Sequence, residues 1–340
     1  MKIAILTPTF SAFSGIDRVV ELQAQEFIDK GHEVTIFTLK GDLKPKKAKL
    51  VVMGMPKNQL IERVYRLFFF IDSSKIRKYG KMLKEYDKVI SHFYPMNILG
   101  MYAKKHYGTI YIYHNHGIAD SKFFNGFIEK TYMKILKFLT NFTIKDVDYA
   151  NSISIYLRDV LEKETGIDSG IVYDPIDKKR FHKGISGKRI RKKYNLGKDL
   201  VCLYIGRISP HKGIDLLIQS FNEVLKEKPN AKLLIVGKQT FSNYAKVLKQ
   251  LANKVNSNAI IFTGFVYDKE LPEYYSACDV YTTATLWEGF NMTVVEAQDC
   301  GKPVVAFNIG PHPEVVKKGT LVKEKDTEAF SKAILKEARK

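Results

Sequence analysis

Glu288 and Glu296 stand eight residues apart in the stretch Trp287-Glu288-Gly289-Phe290-Asn291-Met292-Thr293-Val294-Val295-Glu296-Ala297. A strand-length apolar run, Val280 to Ala284, precedes them, and Gly289 permits a tight turn after the first glutamate. Asn291 is expected to cap a helix that runs to about Cys300, where Gly301 stops it. Glu288 then sits at the mouth of that helix, and Glu296 lies about 7 Å along its axis at ~1.5 Å per residue. A helix N-terminus carries unpaired amides and partial positive charge, which suits phosphate. A carboxylate accepts with both oxygens, which suits vicinal hydroxyls. A single glutamate in such a place reads more simply as a solvated residue.

A second stretch adds cations. Gly206-Arg207-Ile208-Ser209-Pro210-His211-Lys212-Gly213 follows the strand-like run Leu200 to Ile205 and precedes a helical run, Ile214 to Leu225. Gly206 leaves room for a phosphate to approach the backbone, and Arg207 and Lys212 put two cations at a strand end. Charge-assisted hydrogen bonds of this kind contribute ~1.5–3 kcal/mol each. Phosphate flanked by two acidic anchors matches a nucleotide sugar, with its diphosphate between a ribose and a second sugar. The bland alternative is a basic loop on a basic protein.

The elements that must hold these residues alternate along the chain. Strand-like runs fall at Lys2 to Thr9, Glu33 to Thr38, Lys49 to Met53, Lys88 to Ser91 and Thr109 to Tyr113. They recur at Leu200 to Ile205, Ala231 to Val236, Ala259 to Thr263, Val280 to Ala284 and Pro303 to Phe307. Helical spacing fills most gaps, as in Val19 to Lys30 and Thr327 to Ala338. Apolar strands separated by helices give parallel sheets covered on both faces. The basic, glycine-bearing stretch Asp174 to Lys198 marks a junction. We expect two Rossmann-like doubly wound α/β domains, residues 1–172 and 173–340, facing an interdomain cleft. Ligands bind such sheets outside the C-terminal strand ends.

Composition narrows the class. The chain has 340 residues, 45% apolar and 27% charged, which excludes a disordered or collagen-like chain. Lys plus Arg number 55 against 36 Asp plus Glu, a formal charge of +19. That charge draws polyanions, whether nucleic acid, anionic lipid or phosphorylated small molecules. The three cysteines, Cys202, Cys278 and Cys300, are too scattered for a disulfide framework or a zinc site and read as buried thiols. The densest apolar stretch, Leu67 to Ile71, falls far short of the ~20 residues of a membrane span. The N-terminal run is halted by Pro8 and reads as a buried strand, not a signal peptide. A cytoplasmic protein is expected. The Asp146-Val147-Asp148 triplet reads as a solvated turn, and no metal ligand set is expected.

Together the two C-terminal stretches resemble the retaining glycosyltransferases of family 4, also called group 1, which have the GT-B fold. Glu288 and Glu296 match that family's paired-glutamate motif, and Gly206, Arg207, Lys212 and Gly213 match its phosphate loop. Gly301-Lys302-Pro303-Val304-Val305-Ala306 follows in the expected place. In the N-terminal half, Gly15-Ile16-Asp17-Arg18-Val19-Val20 is similar to the glycine-rich loop, with Ser14 before a single glycine. Gly31-His32-Glu33-Val34, Asp146 to Leu161, and Ile171-Val172-Tyr173-Asp174-Pro175-Ile176-Asp177 extend the resemblance over nearly the whole chain.

The resemblance implies a site. His116, Arg207, Lys212 and Glu288 would be catalytic, with Arg207 and Lys212 on the diphosphate, Glu288 on the donor sugar and His116 near the reacting sugar. Gly15, Gly206, Val266, Phe290, Asn291, Met292 and Glu296 would complete the donor site, Glu296 holding ribose and Val266 lining the base. His114 reads as core or as a support for His116. Asn291 stands where glycine is commoner in the family. No cofactor is implied, and the reaction would retain anomeric configuration without metal. Two basic aromatic stretches, Arg63 to Lys81 and Lys122 to Lys137, suit an anionic membrane surface and a lipid-linked or glycolipid acceptor. Rival readings are a sugar-phosphate synthase with a soluble acceptor, an inactive sugar-nucleotide scaffold and a nucleic-acid-binding protein. The last rests on charge alone, since no zinc spacing, RNA-recognition signature or helix-turn-helix supports it.

Overall fold

The computed structural model describes residues 1–11, 15–124, 126–239 and 242–339, apart from the side chains of Gln59 and Ser242. Ser14 lies outside the described residues. The chain divides into two units, Met1–Pro175 and Ile176–Lys340, where the sequence places the boundary after residue 172.

Among the described residues the first unit builds a seven-stranded parallel sheet. Its strands are β1 (Lys2–Phe10), β2 (Glu33–Gly41), β3 (Lys49–Val52), β4 (Lys88–Ser91), β5 (Ile110–Asn115), β6 (Tyr149–Ser152) and β7 (Gly170–Ile171). Their spatial order is β3-β2-β1-β4-β5-β6-β7. β1 is buried on both faces, from Ile3 to Thr7 without a break, as a central parallel strand requires. The short β6 and β7 carry Asn151, Ser152 and Gly170, which lack strand propensity. The sheet recruits them through their registers Ile112↔Tyr149 and Asn151↔Gly170. Asp148 is no solvated turn. It takes the Lys104 ammonium at 2.6 Å and the Tyr111 amide at 2.8 Å, and so anchors β6 beside β5.

The second unit repeats the plan with β8 (Val201–Ile205), β9 (Lys232–Val236), β10 (Ile260–Gly264), β11 (Val280–Thr283), β12 (Val304–Phe307) and β13 (Gly319–Val322). The order β10-β9-β8-β11-β12-β13 is that of a doubly wound dinucleotide-binding sheet. Every residue of β8, β11 and β12 is buried. The helix Ile214–Glu227 turns Ile214, Leu217, Ile218, Phe221 and Val224 onto this core, a 3.6-residue stripe, and keeps its charges outside. All three cysteines are free and buried. Among the described residues no helix is long and apolar enough to cross a membrane.

Strand order reverses between β1 and β4 and again between β8 and β11. At such a switch point the loops leaving two neighbouring strands diverge and open a crevice. In the second unit these are the Gly206 loop after β8 and the Glu288 loop after β11.

Candidate active site

The Gly206 loop is held down before it reaches its cations. Gly206 donates to the Val236 carbonyl and Ile208 to that of Lys238, so the loop first continues alongside β9. Gly206 has no room for a side chain, because a Cβ there would lie 2.6 Å from the Tyr204 hydroxyl. A 3-10 turn, Pro210–Lys212, follows and ends at Gly213 with φ +58°. A Cβ on Gly213 would meet the Ala284 carbonyl oxygen at 2.0 Å. That close approach seats the loop after β8 on the end of β11. Leu286 N and Thr285 Oγ1 then donate to the His211 carbonyl at 2.8 and 3.1 Å, stitching the two loops together.

The stitching brings Lys212 to Glu288. Nζ and Oε1 are 2.5 Å apart, with the side chains 13% and 14% exposed. Burial pulls the Lys212 pKa down, Glu288 pushes it back up, and neighbouring Arg207 lowers it again. Burial also drives His211 to about 2, assisted by the same two cations, so His211 is a neutral structural ring. Arg207 is exposed. The pair offsets its own charges, and Arg207 adds a further cation within electrostatic range of Lys212.

Beyond Glu288 the chain turns through buried Gly289 and Phe290 into the helix Met292–Asp299. Asn291 occupies the cap position at φ +76°, ψ 65°, but its side chain does not cap. It bonds Thr293 and His312 instead. Met292 is half-buried. Glu296 is 2% exposed, and its Oε2 accepts from the Tyr275 hydroxyl at 2.7 Å. Burial above all raises the Tyr281 pKa, and both glutamates add to it through space, so each lies within electrostatic range of that one hydroxyl. Val266 follows the edge strand β10 and is half-buried between exposed Phe265 and Tyr267. The structure thus gathers Arg207, Lys212, Glu288 and the start of the Asn291 helix around one switch point. Val266 stands beyond β9, in the segment that follows β10, the strand furthest from the switch point on that side.

The first unit holds His116 and Gly15. Gly15 is exposed at the start of the helix Gly15–Asp29. Two residues on, buried Asp17 accepts from Ser11 N at 2.9 Å and Ser11 Oγ at 3.1 Å, while burial lifts its pKa to about 6. His116 belongs to a relay. The Gln23 carbonyl oxygen lies 2.9 Å from His92 Nε2, and His92 Nδ1 lies 2.8 Å from His116 Nε2. The Gln23 oxygen can only accept, so His92 donates from Nε2 and accepts at Nδ1 from His116. The relay leaves a lone pair on His116 Nδ1, 3.8 Å from Asp174 Oδ1. Burial, first among causes, holds both imidazoles well below the usual histidine pKa. Burial lifts Asp174 to about 8. Neither ring nitrogen of His114 nor Asp174 Oδ1 has a hydrogen-bond partner among the described residues. His114, His116 and Asp174 offer ligand-type atoms within 4.8 Å of one another. The His–Asp spacings of 3.8 and 3.9 Å are wider than the about 3.4 Å edge of a tetrahedral zinc site.

Sequence reading passes over His92, Gln23, Tyr275, Tyr281, Thr293 and His312. Thr293 lies inside the two-glutamate stretch, but its role comes from Tyr281, 12 residues away. The other five stand outside the motifs, and each acts through a partner at least 12 residues away or on another element. Of the aromatic run, Leu67 and Phe69 are buried while Phe68, Phe70 and Ile71 are exposed. The flanking helix Gln59–Leu67 exposes Leu60, Ile61 and Val64, and Phe127 and Ile128 are more than 80% exposed at the start of the helix Phe127–Thr143.

Two Rossmann-like units, one with two cations and a glutamate at its switch point, define a two-unit doubly wound α/β class, and comparison with known proteins gives the family. A family profile described as glycosyl transferases group 1 matches residues 186–337, and one described as glycosyltransferase family 4 matches residues 13–180. The chain belongs to the group 1, family 4 type of glycosyltransferases and has the GT-B fold. It is 30% identical over 203 residues to a GDP-mannose-dependent alpha-(1-6)-phosphatidylinositol monomannoside mannosyltransferase of Mycolicibacterium smegmatis, a match covering 56% of this chain and 52% of that protein. It is 26% identical over 324 residues to an alpha-monoglucosyldiacylglycerol synthase of Streptococcus pneumoniae, covering 90% and 71%. The match thus spans about half of the first relative's length. Among solved structures, Anabaena Alr3699/HepE in complex with UDP and glucose superimposes with a TM-score of 0.81 at 21% identity, over 98% of this chain and 89% of that one.

Proposed function

We propose that this chain transfers a hexosyl group from a nucleoside diphosphate sugar to a sugar or glycolipid acceptor, with retention and without metal. The observation that carries the proposal is the Lys212–Glu288 contact at the β8/β11 switch point, with Arg207 beside it. The pair is stored in mutual neutrality. A diphosphate that enters takes Lys212, and Glu288 is released toward the sugar hydroxyls. Breaking the anomeric C–O bond develops negative charge on the leaving diphosphate. Arg207, Lys212 and the first-turn amides of the helix Met292–Asp299 face that charge, so they stabilise the transition state more than the ground state. Gly206 and Gly213 keep the cations in place, and Phe290, Asn291 and Met292 shape the sugar side. Glu296, oriented by Tyr275, serves the ribose, and Val266 the base. His116, held by the Gln23–His92 relay as a neutral acceptor, serves the reacting sugar. Gly15 opens the helix that carries Gln23.

The relatives above are named for phosphatidylinositol monomannoside and monoglucosyldiacylglycerol, which supports a lipid-borne acceptor here. The exposed apolar residues of the first unit, flanked by Arg63, Lys78, Lys130 and Lys134, support docking on an anionic membrane face.

A thermal-shift screen across UDP, GDP and ADP sugars tests the donor assignment. A stabilising hit abolished in Glu296→Ala is expected. A wild type that no nucleotide sugar shifts removes the assignment. A product assay with lipid-linked against soluble phosphorylated acceptors decides the acceptor.

A further inference from the structure

A single directed chain of hydrogen bonds runs behind the Glu288 loop. Tyr281 Oη donates to Thr293 Oγ1 at 2.7 Å rather than to the Ile205 carbonyl oxygen, which lies further off at 3.3 Å, and Thr293 Oγ1 donates to Asn291 Oδ1 at 2.7 Å. Asn291 Nδ2 donates to His312 Nε2 at 2.9 Å, and His312 Nδ1 donates to the Phe307 carbonyl oxygen at 2.6 Å. It ties β11, the first turn of the helix Met292–Asp299 and the end of β12 into one unit.

The direction of the chain is set at its far end. The Phe307 carbonyl can only accept, so His312 must carry its proton on Nδ1. The ring is fully buried, and burial holds its pKa below the ordinary histidine value. A neutral Nδ1–H ring presents a lone pair at Nε2. That lone pair selects the amide orientation of Asn291, with NH2 toward His312 and oxygen toward Thr293. Asn291 also stands in left-handed backbone, which asparagine enters less readily than glycine and with the help of local side-chain hydrogen bonds. A side chain bonded at both ends holds the residue there. The same bonds withdraw its oxygen from the helix terminus it would otherwise cap.

We propose that His312 is a positioning residue for the donor site: its neutral Nδ1–H tautomer locks Asn291 in left-handed backbone with its amide turned away, which keeps the Glu288 loop and the first-turn amides of the helix Met292–Asp299 set for the diphosphate. The proposal rests on the donor-site reading above. The charged groups that act on the His312 ring are Glu288 from the loop after β11 and Lys212 from the loop after β8, with opposite signs. Glu314 lies on its own short helix, His312–Val315.

Two substitutions separate the tautomer from mere packing. His312→Gln offers an oxygen to Asn291 and an N–H to Phe307, whereas His312→Leu fills space and offers neither. Asn291→Asp places two acceptors face to face, so the pair must take up a proton to stay bonded. That proton leaves as pH rises, and an uncompensated negative charge then faces the incoming diphosphate.

The test combines nitrogen-15 NMR of the His312 ring with calorimetric binding of UDP-glucose and GDP-mannose, between about pH 5.5 and 8.5. The wild-type ring is expected to show the Nδ1–H tautomer throughout. His312→Leu should weaken binding about tenfold or more, the size of one buried hydrogen bond, and His312→Gln should recover most of it. Asn291→Asp should show a doubly protonated ring at the acid end and an affinity that falls as pH rises. If His312→Leu does not fold by circular dichroism, His312→Gln and Asn291→Asp carry the comparison. A wild-type ring protonated on Nε2, unchanged affinity in His312→Leu, or a pH-independent Asn291→Asp overturns the proposal while leaving the donor reading intact. Failure of the wild type to bind either sugar nucleotide overturns the donor reading, and the proposal with it.

Discussion

Lys212 and Glu288 neutralise each other across 2.5 Å in a nearly buried place. Removing one partner of such a pair does more than delete a contact, because the other charge is left without compensation. Lys212→Ala should therefore lower the turnover of glycosyl transfer by ~10²–10³, the usual loss for one preorganised donor to a developing anion. Initial rates at varied donor concentration check this, with the loss expected in kcat more than in KM. Asp174 gives a prediction of another kind. Its folded pKa is raised by burial to about 8 from an ordinary 3.8, so the folded chain favours the protonated acid. The stability this proton contributes is fully present below about pH 3.8 and is lost as pH rises through 8. Wild-type stability should fall between these limits, by on the order of 4 kcal/mol up to neutrality. Asp174→Asn should flatten that slope in urea titrations across the range. Equal slopes for the two proteins would show that Asp174 is not the group responsible.

The elements that matter most are two loops and the glycine that lets them touch. Gly213 carries a positive φ and faces the Ala284 carbonyl oxygen at a distance no Cβ tolerates. Gly213→Ala must move the loop off β11 and draw Lys212 from Glu288. We expect about 2–3 kcal/mol of lost stability, from backbone strain and overpacking together, and loss of nucleotide-sugar binding. Gly166, at φ +73° with open space where a Cβ would stand, is the control. Gly166→Ala should cost about 1 kcal/mol from backbone strain alone and leave binding unchanged. The central strands β1, β2, β4, β5, β8, β9, β11 and β12 were legible because central parallel strands are largely apolar, and the edge strands β3 and β10 because of their β-branched and aromatic runs. β6, β7 and β13 were not, since their short polar or glycine-bearing sequences are strands only through their neighbours. The Asn291 helix was legible in extent but not in its cap: the sequence offered a capping side chain, and the fold gave that side chain two other partners.

At the scale of the whole molecule, the proposed docking on an anionic membrane face rests on a charge of +19 and on exposed apolar residues of the first unit. Phe127 and Ile128 are 83% and 81% exposed, beyond what an inward-facing helix start requires. Flotation with vesicles containing anionic lipid should show binding that weakens with salt. A Phe127→Glu, Ile128→Glu double variant should bind more weakly while keeping its nucleotide-sugar affinity. Binding that ignores both salt and these two residues would remove this face from the docking surface.

The sequence alone determined the two-unit α/β plan, the pairing of a basic βα loop with two spaced glutamates, and the resemblance to a family. All of these are patterns carried by residue type and local spacing, and they persist whatever the rest of the chain does. Only the tertiary structure decided which of those residues meet. The order β10-β9-β8-β11-β12-β13 puts a loop ending at Lys212 beside one beginning at Glu288, 76 residues away. It also brings His312 to Asn291, Tyr275 to Glu296, and, in the first unit, the sheet brings His92 and Asp174 to His116. Hydrogen bonds and burial act over a few ångströms, while strand order, which sets those distances, is fixed by packing across the whole sheet.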